Sequence, residues 1–331
     1  MAQPIFKAQP TLRDVHVNRP LTDLSVAFIQ SSNDFIAEKV FPTVNVAKQS
    51  DQYFVYPRDN WNRSQAEKRA PATESAGSGW ELSTDSYRAD KYAIHKDVAD
   101  DIRANADAAI NIDSEATQWV TQQCMLIKDI TWAAEYFTTT VWDTDLTGVS
   151  GAPGAGEFQQ WNESGSTPIE DISAQMIAVK EATGFMPNSL VLSSNVWNVL
   201  KNHAQFTDRI KFTQTGIVTN DLIAAVLDLE RVMVGWAIQN TAVEGATEAS
   251  EFILSTNAAL LVYAAPSPGL LTPSGGYTFA WSGLLGAGAF GNRIKTFRME
   301  HLEADRVECE VAFDTKLVAA SLGVFFTTAV A

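Results

Sequence analysis

The chain has few of the residues on which catalytic and metal sites are commonly built. Of its 331 residues only two are cysteine and four histidine. Two thiols, Cys124 in a helical pattern and Cys309 in a strand pattern, build neither a disulfide framework nor a zinc cluster, and their scarcity fits maturation in a reducing cytosol. Positive charge is short as well: 24 Lys and Arg against 39 Asp and Glu leave a formal net charge of -15. Proteins that grip phosphates need clustered cations that displace counterions, so DNA nearby is expected to be repelled rather than held. Long apolar runs are missing too. Met1–Arg13 has no continuous apolar core of the signal-peptide kind, and the uncharged tail Leu317–Ala331 is shorter than a bilayer span. The expectation is a protein that is neither secreted nor membrane-spanning.

Catalytic templates are also wanting. His16, His95 and His203 lack H-E-x-x-H spacing, no serine sits in a G-x-S-x-G elbow, and no glycine stretch ends in G-K-[ST]. Gly286-Ala-Gly288-Ala-Phe-Gly291 matches G-x-G-x-x-G, with Asp305 where a ribose-binding acid belongs, but the following "NRIKTFRMEHLEADRVECEV" alternates like strands. No helix N-terminus would then face a pyrophosphate, and a small-residue turn is the simpler account. His301, Glu303 and Asp305 at period two would share one strand face, open to a metal or acid/base cluster, against the simpler polar end of a strand. Arg293, Lys295 and Arg298 could touch phosphate, or form a solvated strand face. Glu170 and Asp171 sit at a helix start, where they favour the dipole. The expectation is no catalytic residue, no metal and no cofactor; the rival reading is a cytosolic enzyme with a metal or nucleotide site near 286–305.

What is present is a large potential core: 46% hydrophobic residues, with 17 Phe and 9 Trp. Residues 1–24, with Pro4, Pro10 and Pro20, read as an extended arm, and Phe35, Ile36, Val40 and Phe41 as a short helix stopped by Pro42. Strand-like Tyr53–Tyr56 and Tyr87–Ile94 flank some thirty polar residues, a long hairpin that leaves the body of the molecule. Asp113 or Ser114 is expected to cap a helix running to Phe137. Trp119, Val120, Cys124, Ile127, Ile130, Ala134 and Phe137 line one stripe of it, and Met125, Leu126, Trp132, Ala133 and Tyr136 a second. Such a helix must be covered on both sides.

"GVSGAPGAGEFQQW", 148–161, reads as a flexible connection, with a boundary near Thr167. A helix Pro168–Thr183 should end at Gly184; "NSLVLS" follows as a buried strand, and Ser193, Ser194 and Asn195 cap a helix on which Trp197 packs. A helix Asn220–Leu229 and the strands in "RVMVGWAI" and "FILSTNAALLVYA" complete this part. After Pro268 strands alternate, clearest at Val307, Cys309, Val311 and Phe313 against Arg306, Glu308, Glu310 and Asp314, a sheet that needs an apolar partner.

In order, these pieces resemble the major capsid proteins of tailed phages. "FIAEKVFPTVNVAKQSDQYFVYPRDN" resembles their passage from arm into extended hairpin, Asp113–Phe137 their spine helix, and "LVLSSNVWNVLKNH" and "LDLERVMVGWAI" their axial domain. The resemblance implies an α+β fold of the Hong Kong 97 type: arm 1–48, extended hairpin loop 49–96, peripheral domain 97–166 and 263–331 with spine helix 113–137, and axial domain 167–262. It further implies hexamers and pentamers in an icosahedral virion shell, assembled in the host cytoplasm, that encloses double-stranded DNA without sequence-specific binding. Scaffolding, portal and decoration proteins would be the other partners. The expected inter-subunit residues are Tyr53, Tyr56, Trp61, Lys68, Arg69, Trp80, Tyr87 and Tyr92, all within the hairpin. Lys68 could serve as the hairpin lysine that some of these coats cross-link, but no motif fixes an acceptor and the chemistry is not carried over. A tail-tube or decoration protein is the remaining virion alternative.

Overall fold

A computed structural model describes residues 29–56, 62–79, 81–106, 111–210, 218–269, 271–285 and 293–331. The described strands in chain order are β1 (Thr43–Val46), β2 (Ser50–Val55), β3 (Ser83–Arg88), β4 (Asp90–Ala99), β5 (Thr144–Val149), β6 (Glu157–Gln159), β7 (Ser189–Leu192) and β8 (Arg231–Val234). They continue with β9 (Ile238–Asn240), β10 (Ser250–Phe252), β11 (Ala259–Val262), β12 (Gly276–Trp281), β13 (Arg293–Met299), β14 (Ala304–Leu317) and β15 (Gly323–Thr327).

β14 organises the first sheet. It pairs antiparallel with β4, β13 and β12, and β1 lies parallel to β12. Its alternation works as the sequence implies: Val307, Cys309, Val311 and Phe313 point into a cluster with Ala116, Val120 and Cys124 of the long helix Ile112–Tyr136. The apolar partner that strand required is this helix. Its C-terminal half leaves the sheet and joins a second cluster, where Trp132, Tyr136 and Phe137 meet Phe41, Val191, Leu260 and Phe325. The two halves of the rod are therefore covered by different partners, and Ile130 and Phe137 of the first stripe share the second cluster with the second stripe. The helix starts one residue earlier than expected, and Asn111, not Asp113 or Ser114, caps it by accepting from the Ser114 amide.

The second sheet has the order β6-β5-β15-β11-β7-β8. Its central strands are buried on both faces, which is why "SLVL", "ALLV" and "VFF" are continuous apolar runs. Leu190, Leu192, Leu261, Val324 and Phe326 face helices Pro168–Thr183, Ser194–Asn202 and Asn220–Leu227; Val191, Leu260, Val262 and Phe325 face the long helix. Gly184 ends the 168–183 helix at φ 85°, in the left-handed region that favours glycine. Trp142 presses on the start of β15, where a Cβ on Gly323 would lie 2.2 Å from the ring.

Two expectations need correction. The segment 148–161 is not a free connection: it carries the end of β5 and all of β6, which pair parallel with each other, and it buries Trp161 completely. Strands too short to show a period hid it. Ser193 precedes its helix in extended conformation, but its hydroxyl donates to the Thr256 carbonyl instead of capping. β5, β6 and β15, from outside 167–262, share a sheet with β7, β8 and β11 from within it.

Candidate assembly surface and its anchorage

β2 and β3 pair antiparallel from Ser50↔Arg88 to Val55↔Ser83, and the chain between their far ends is the long hairpin loop. Aromatic rings root it. Tyr87 stacks on Phe279 at 4.6 Å and 9°, Tyr53 lies on the same ring at 5.5 Å, and the Tyr53 hydroxyl donates to Asp85 at 2.8 Å. Tyr92 packs on Phe313 of β14. Beyond the root, every residue from 62 to 79 is exposed. Lys68 and Arg69 lie there, Arg69 donating to the Thr73 carbonyl, and Phe54, Tyr56 and Leu82 expose large apolar surface beside it. Of the eight residues expected at the surface, Tyr53, Tyr87 and Tyr92 thus hold the hairpin to its own body, while Tyr56, Lys68 and Arg69 face outward. Trp61 and Trp80 lie outside the described residues.

A second anchorage was not legible beforehand. The short helix Ala37–Val40 is held at both ends by charges from distant elements. At its start the Ile36 and Ala37 amides donate to the Asp129 carboxylate at 2.8–3.2 Å; at its end Arg231 of β8 donates to the Lys39 and Val40 carbonyls at 2.8 and 3.1 Å. Between them Lys128 pairs with Glu38 at 2.6 Å. Orphan amides at a helix start want an anion and orphan carbonyls at its end a cation, and both are supplied. Lys128 and Asp129 are each 1% exposed. Burial pushes the Asp129 carboxyl up to about 6, against the pull of the two amides, and burial pushes the Lys128 ammonium down against Glu38. The one sequence signal was a Lys-Asp pair set between Ile127 and Ile130 in the middle of a two-faced apolar helix.

No family model matches the chain. The curated major capsid protein of Burkholderia phage BcepMu is 23% identical over 228 residues, 67% of this chain and 69% of that one. Among solved structures, a phage-related protein from Bordetella bronchiseptica RB50 matches with a TM-score of 0.67 at 20% identity, over 91% of this chain and 93% of its own. The capsid of cyanophage P-SCSP1u matches with a TM-score of 0.60 at 12% identity, over 95% and 93%. The chain has the tailed-phage capsid fold.

Within this capsid fold the groups singled out for chemistry are otherwise engaged. Arg293 and Lys295 of β13, with Lys91 of β4, converge on Glu310, a residue 1% exposed at the centre of the first sheet. Burial alone would raise that carboxyl, but hydrogen bonds from Lys295, Lys91 and Arg293 outweigh it and hold it well below the usual carboxylate range. Arg298 pairs with Asp100 and Asp305, so the basic patch on β13 is neutralised by its own chain. His301, Glu303 and Asp305 do not share a strand face: Glu300–Leu302 is a 3-10 turn, Glu303 sits at φ 48°, and only Asp305 lies in β14, where Arg103 holds it at 2.7 Å. The glycines 286–291 lie outside the described residues. Ser166 and His203 do meet, Oγ to Nε2 at 3.2 Å, but the Gln205 amide donates to Nδ1 and the Ser166 hydroxyl donates to the Glu163 carbonyl. Nε2 therefore carries the proton and cannot take one from serine. Among the described residues, no helix is long and apolar enough to cross a membrane and no group of three or more His, Cys, Asp or Glu is placed to hold a metal.

Proposed function

We propose that the chain is the major capsid protein of a tailed phage, assembling as hexamers and pentamers into an icosahedral shell that encloses double-stranded DNA. A fold does not by itself give a function, and the observation that carries this reading is the hairpin. Eighteen consecutive residues, 62–79, are all exposed. Ordering each of them costs about 1–2 kcal/mol of conformational entropy that only contacts outside the subunit can offset. Exposed Phe54, Tyr56 and Leu82 offer apolar surface for a neighbouring copy at the same place. The acidic balance suits a container that holds DNA without sticking to it. In this reading the hairpin 49–96 is the main inter-subunit contact, with Tyr56, Lys68 and Arg69 facing the neighbour. The axial unit is 167–262 extended by β5, β6 and β15, which complete its sheet; the rest of 97–166 and 263–331 is peripheral. Scaffolding, portal and decoration proteins are the further partners, and the host cytoplasm the place of assembly. The test is negative-stain microscopy of purified protein, where closed shells support the reading, and tubes or stable monomers at high concentration reject it. Removing residues 62–79 should leave the circular dichroism of a folded subunit and abolish shells; normal shells from that variant would overturn the contact assignment.

A further inference from the structure

An apolar groove lies open between the long helix and the β9–β10 ribbon. The last turns of the helix present Ile130, Ala134 and Phe137 at helical spacing, opposite Gln239, Phe252 and Ile253 along the ribbon, across a space of about 490 Å³. That volume corresponds to about sixteen waters at ~30 Å³ each, and apolar walls offer them few hydrogen bonds. Glu251 also lines the groove, where its carboxylate accepts from the Gln239 side chain at 3.1 Å. The chain itself arrives beside this space. Gln30 takes both main-chain groups of Ile238, its side-chain nitrogen donating to the carbonyl at 2.7 Å and its oxygen accepting from the N–H at 2.8 Å. Ile238 adjoins Gln239 of one wall, and the Ile36 amide donates to Asp129, which adjoins Ile130 of the other. Residues 30–36 thus cross from wall to wall, and Ile29, just before the Gln30 latch, leaves its large apolar side chain exposed.

We propose that this groove is the seat of the preceding segment of the same chain, residues 24–28, laid along the long helix in extended form. The sequence Leu24-Ser-Val26-Ala-Phe28 alternates large apolar with small residues, so an extended chain turns Leu24, Val26 and Phe28 to one side, toward the groove floor, and Ser25 and Ala27 to the other. The lengths agree. From Ile130 to Phe137 the groove runs about 11 Å at ~1.5 Å per helical residue, which about four extended residues at ~3.3 Å each would span. Charge agrees as well: residues 24–29 carry none, so seating them desolvates no ion. The exposed segment 62–79 is a poorer occupant, since it would bring in Arg63, Glu67, Lys68, Arg69 and Glu74 and has no apolar side chain larger than proline. Tethering decides between residues 24–28 of this chain and those of another copy. With Gln30 fixed at the wall, Phe28 is held next to the groove, and so short a tether gives an effective concentration of the order of millimolar. The arm is then fastened to its own subunit as far back as about residue 24, and only the residues before that point are left to reach a neighbour.

The inference is read on the unassembled subunit, so it stands or falls whether or not shells form. Hydrogen exchange of the full-length chain is compared with that of Ala134→Glu. Ala134 is exposed at the groove, so a glutamate there should leave the fold in place, as circular dichroism would verify, while it sets a charge against the seated segment. In the native chain the peptide covering residues 24–28 should exchange at least about tenfold more slowly than the same peptide in the urea-unfolded chain, and the variant should lose that protection while the 168–183 helix keeps its own. Equal rates for 24–28 in the two proteins, or a native rate equal to the unfolded one, would overturn the proposal. A second variant establishes whose segment it is. Val26→Cys combined with Ala134→Cys, treated at low protein concentration with a short bis-maleimide, should give a cross-linked monomer in which the two introduced thiols are joined; Cys124 and Cys309 are buried and serve as internal controls. Cross-linked dimers would assign the groove to a second copy, and the absence of any cross-link would leave it without this occupant; either result rejects the proposal. Should Ala134→Glu not fold, the native exchange rate and the cross-link decide together.

Discussion

Asp129→Asn isolates the electrostatic cost of the N-terminal clamp. In the native chain the Asp129 carboxyl is pushed up to about 6 from an ordinary value of 3.8. A folded pKa above the unfolded one means that the native state binds more protons in between. The stability this contributes is complete below about pH 4 and is lost as pH rises through 6. Taking those two values, lowering the pH from about 7.5 to about 5 stabilises the native state by about 1.4 kcal/mol through this group. The amide that replaces the carboxylate in the variant cannot titrate, but its oxygen still accepts from Ala37, whose backbone N–H lies 2.8 Å from Oδ1 in the native chain. Other carboxylates, such as those of Asp97 and Asp100, titrate alike in both proteins and cancel in the comparison. Urea unfolding of the unassembled subunit at the two pH values should therefore show the native chain gaining about 1–2 kcal/mol on the variant as the solution is acidified. A gap that is flat, or that closes in acid, refutes the reasoning. Asp129→Ala separates the cap from the charge: it strands both amides and should cost about 1–3 kcal/mol at either pH.

Two further outcomes are expected. Glu310→Gln removes the anion on which Lys91, Arg293 and Lys295 converge; because those partners are about one-third exposed, the loss is put at about 1–3 kcal/mol and not the full cost of a buried charge, measured by chemical denaturation at neutral pH. Since the folded Glu310 pKa lies below the unfolded one, the difference from the native chain should persist at neutral pH and shrink only in strong acid. Gly323→Ala drives a methyl into the Trp142 ring and should lower stability by about 1–3 kcal/mol, read as a fall in unfolding midpoint with Trp142 fluorescence as a local probe; an unchanged midpoint means the indole has room to move.

What could be read in advance follows from which interactions are local. The period of two in β14 and the double burial of "SLVL" and "ALLV" are written into adjacent residues, and so is the glycine at the end of the 168–183 helix. Each was found. β6 is three residues long and set among glycines, so it offered no period to detect, and its burial shows only through Phe158 and Trp161, which pack on Phe326 from the far end of the chain. The expected face of His301, Glu303 and Asp305 failed at a single residue: Glu303 in the left-handed region resets the alternation, and nothing in "MEHLEAD" announces that. The clamp was hidden for a different reason. Lys and Asp on a helix read as solvent-facing, because isolated charges are too costly to bury.

That cost is met at Lys128 and Asp129 by groups some ninety residues away: Glu38 for the first and the amides of Ile36 and Ala37 for the second. The same logic accounts for the sheet that crosses the expected boundaries. Chain-order divisions assume that neighbours in sequence pair with one another, yet β15 lies between β5 and β11, inserted from the C-terminal end. With the clamp at one end and β15 at the other, both described ends of the chain are fastened to the unit that contains β7 and β8. The hairpin is fastened instead through Tyr53 and Tyr87 to Phe279 of the other sheet. In the proposed shell, a force applied at the hairpin by a neighbouring copy would then reach the second sheet through the long helix, which packs on both sheets, and through the clamped segment that leads into β1. Loosening the clamp should consequently weaken shells more than it weakens the isolated hairpin contact. Asp129→Ala shells that resist heating as well as native shells, from a subunit measurably less stable, would show that load does not pass this way.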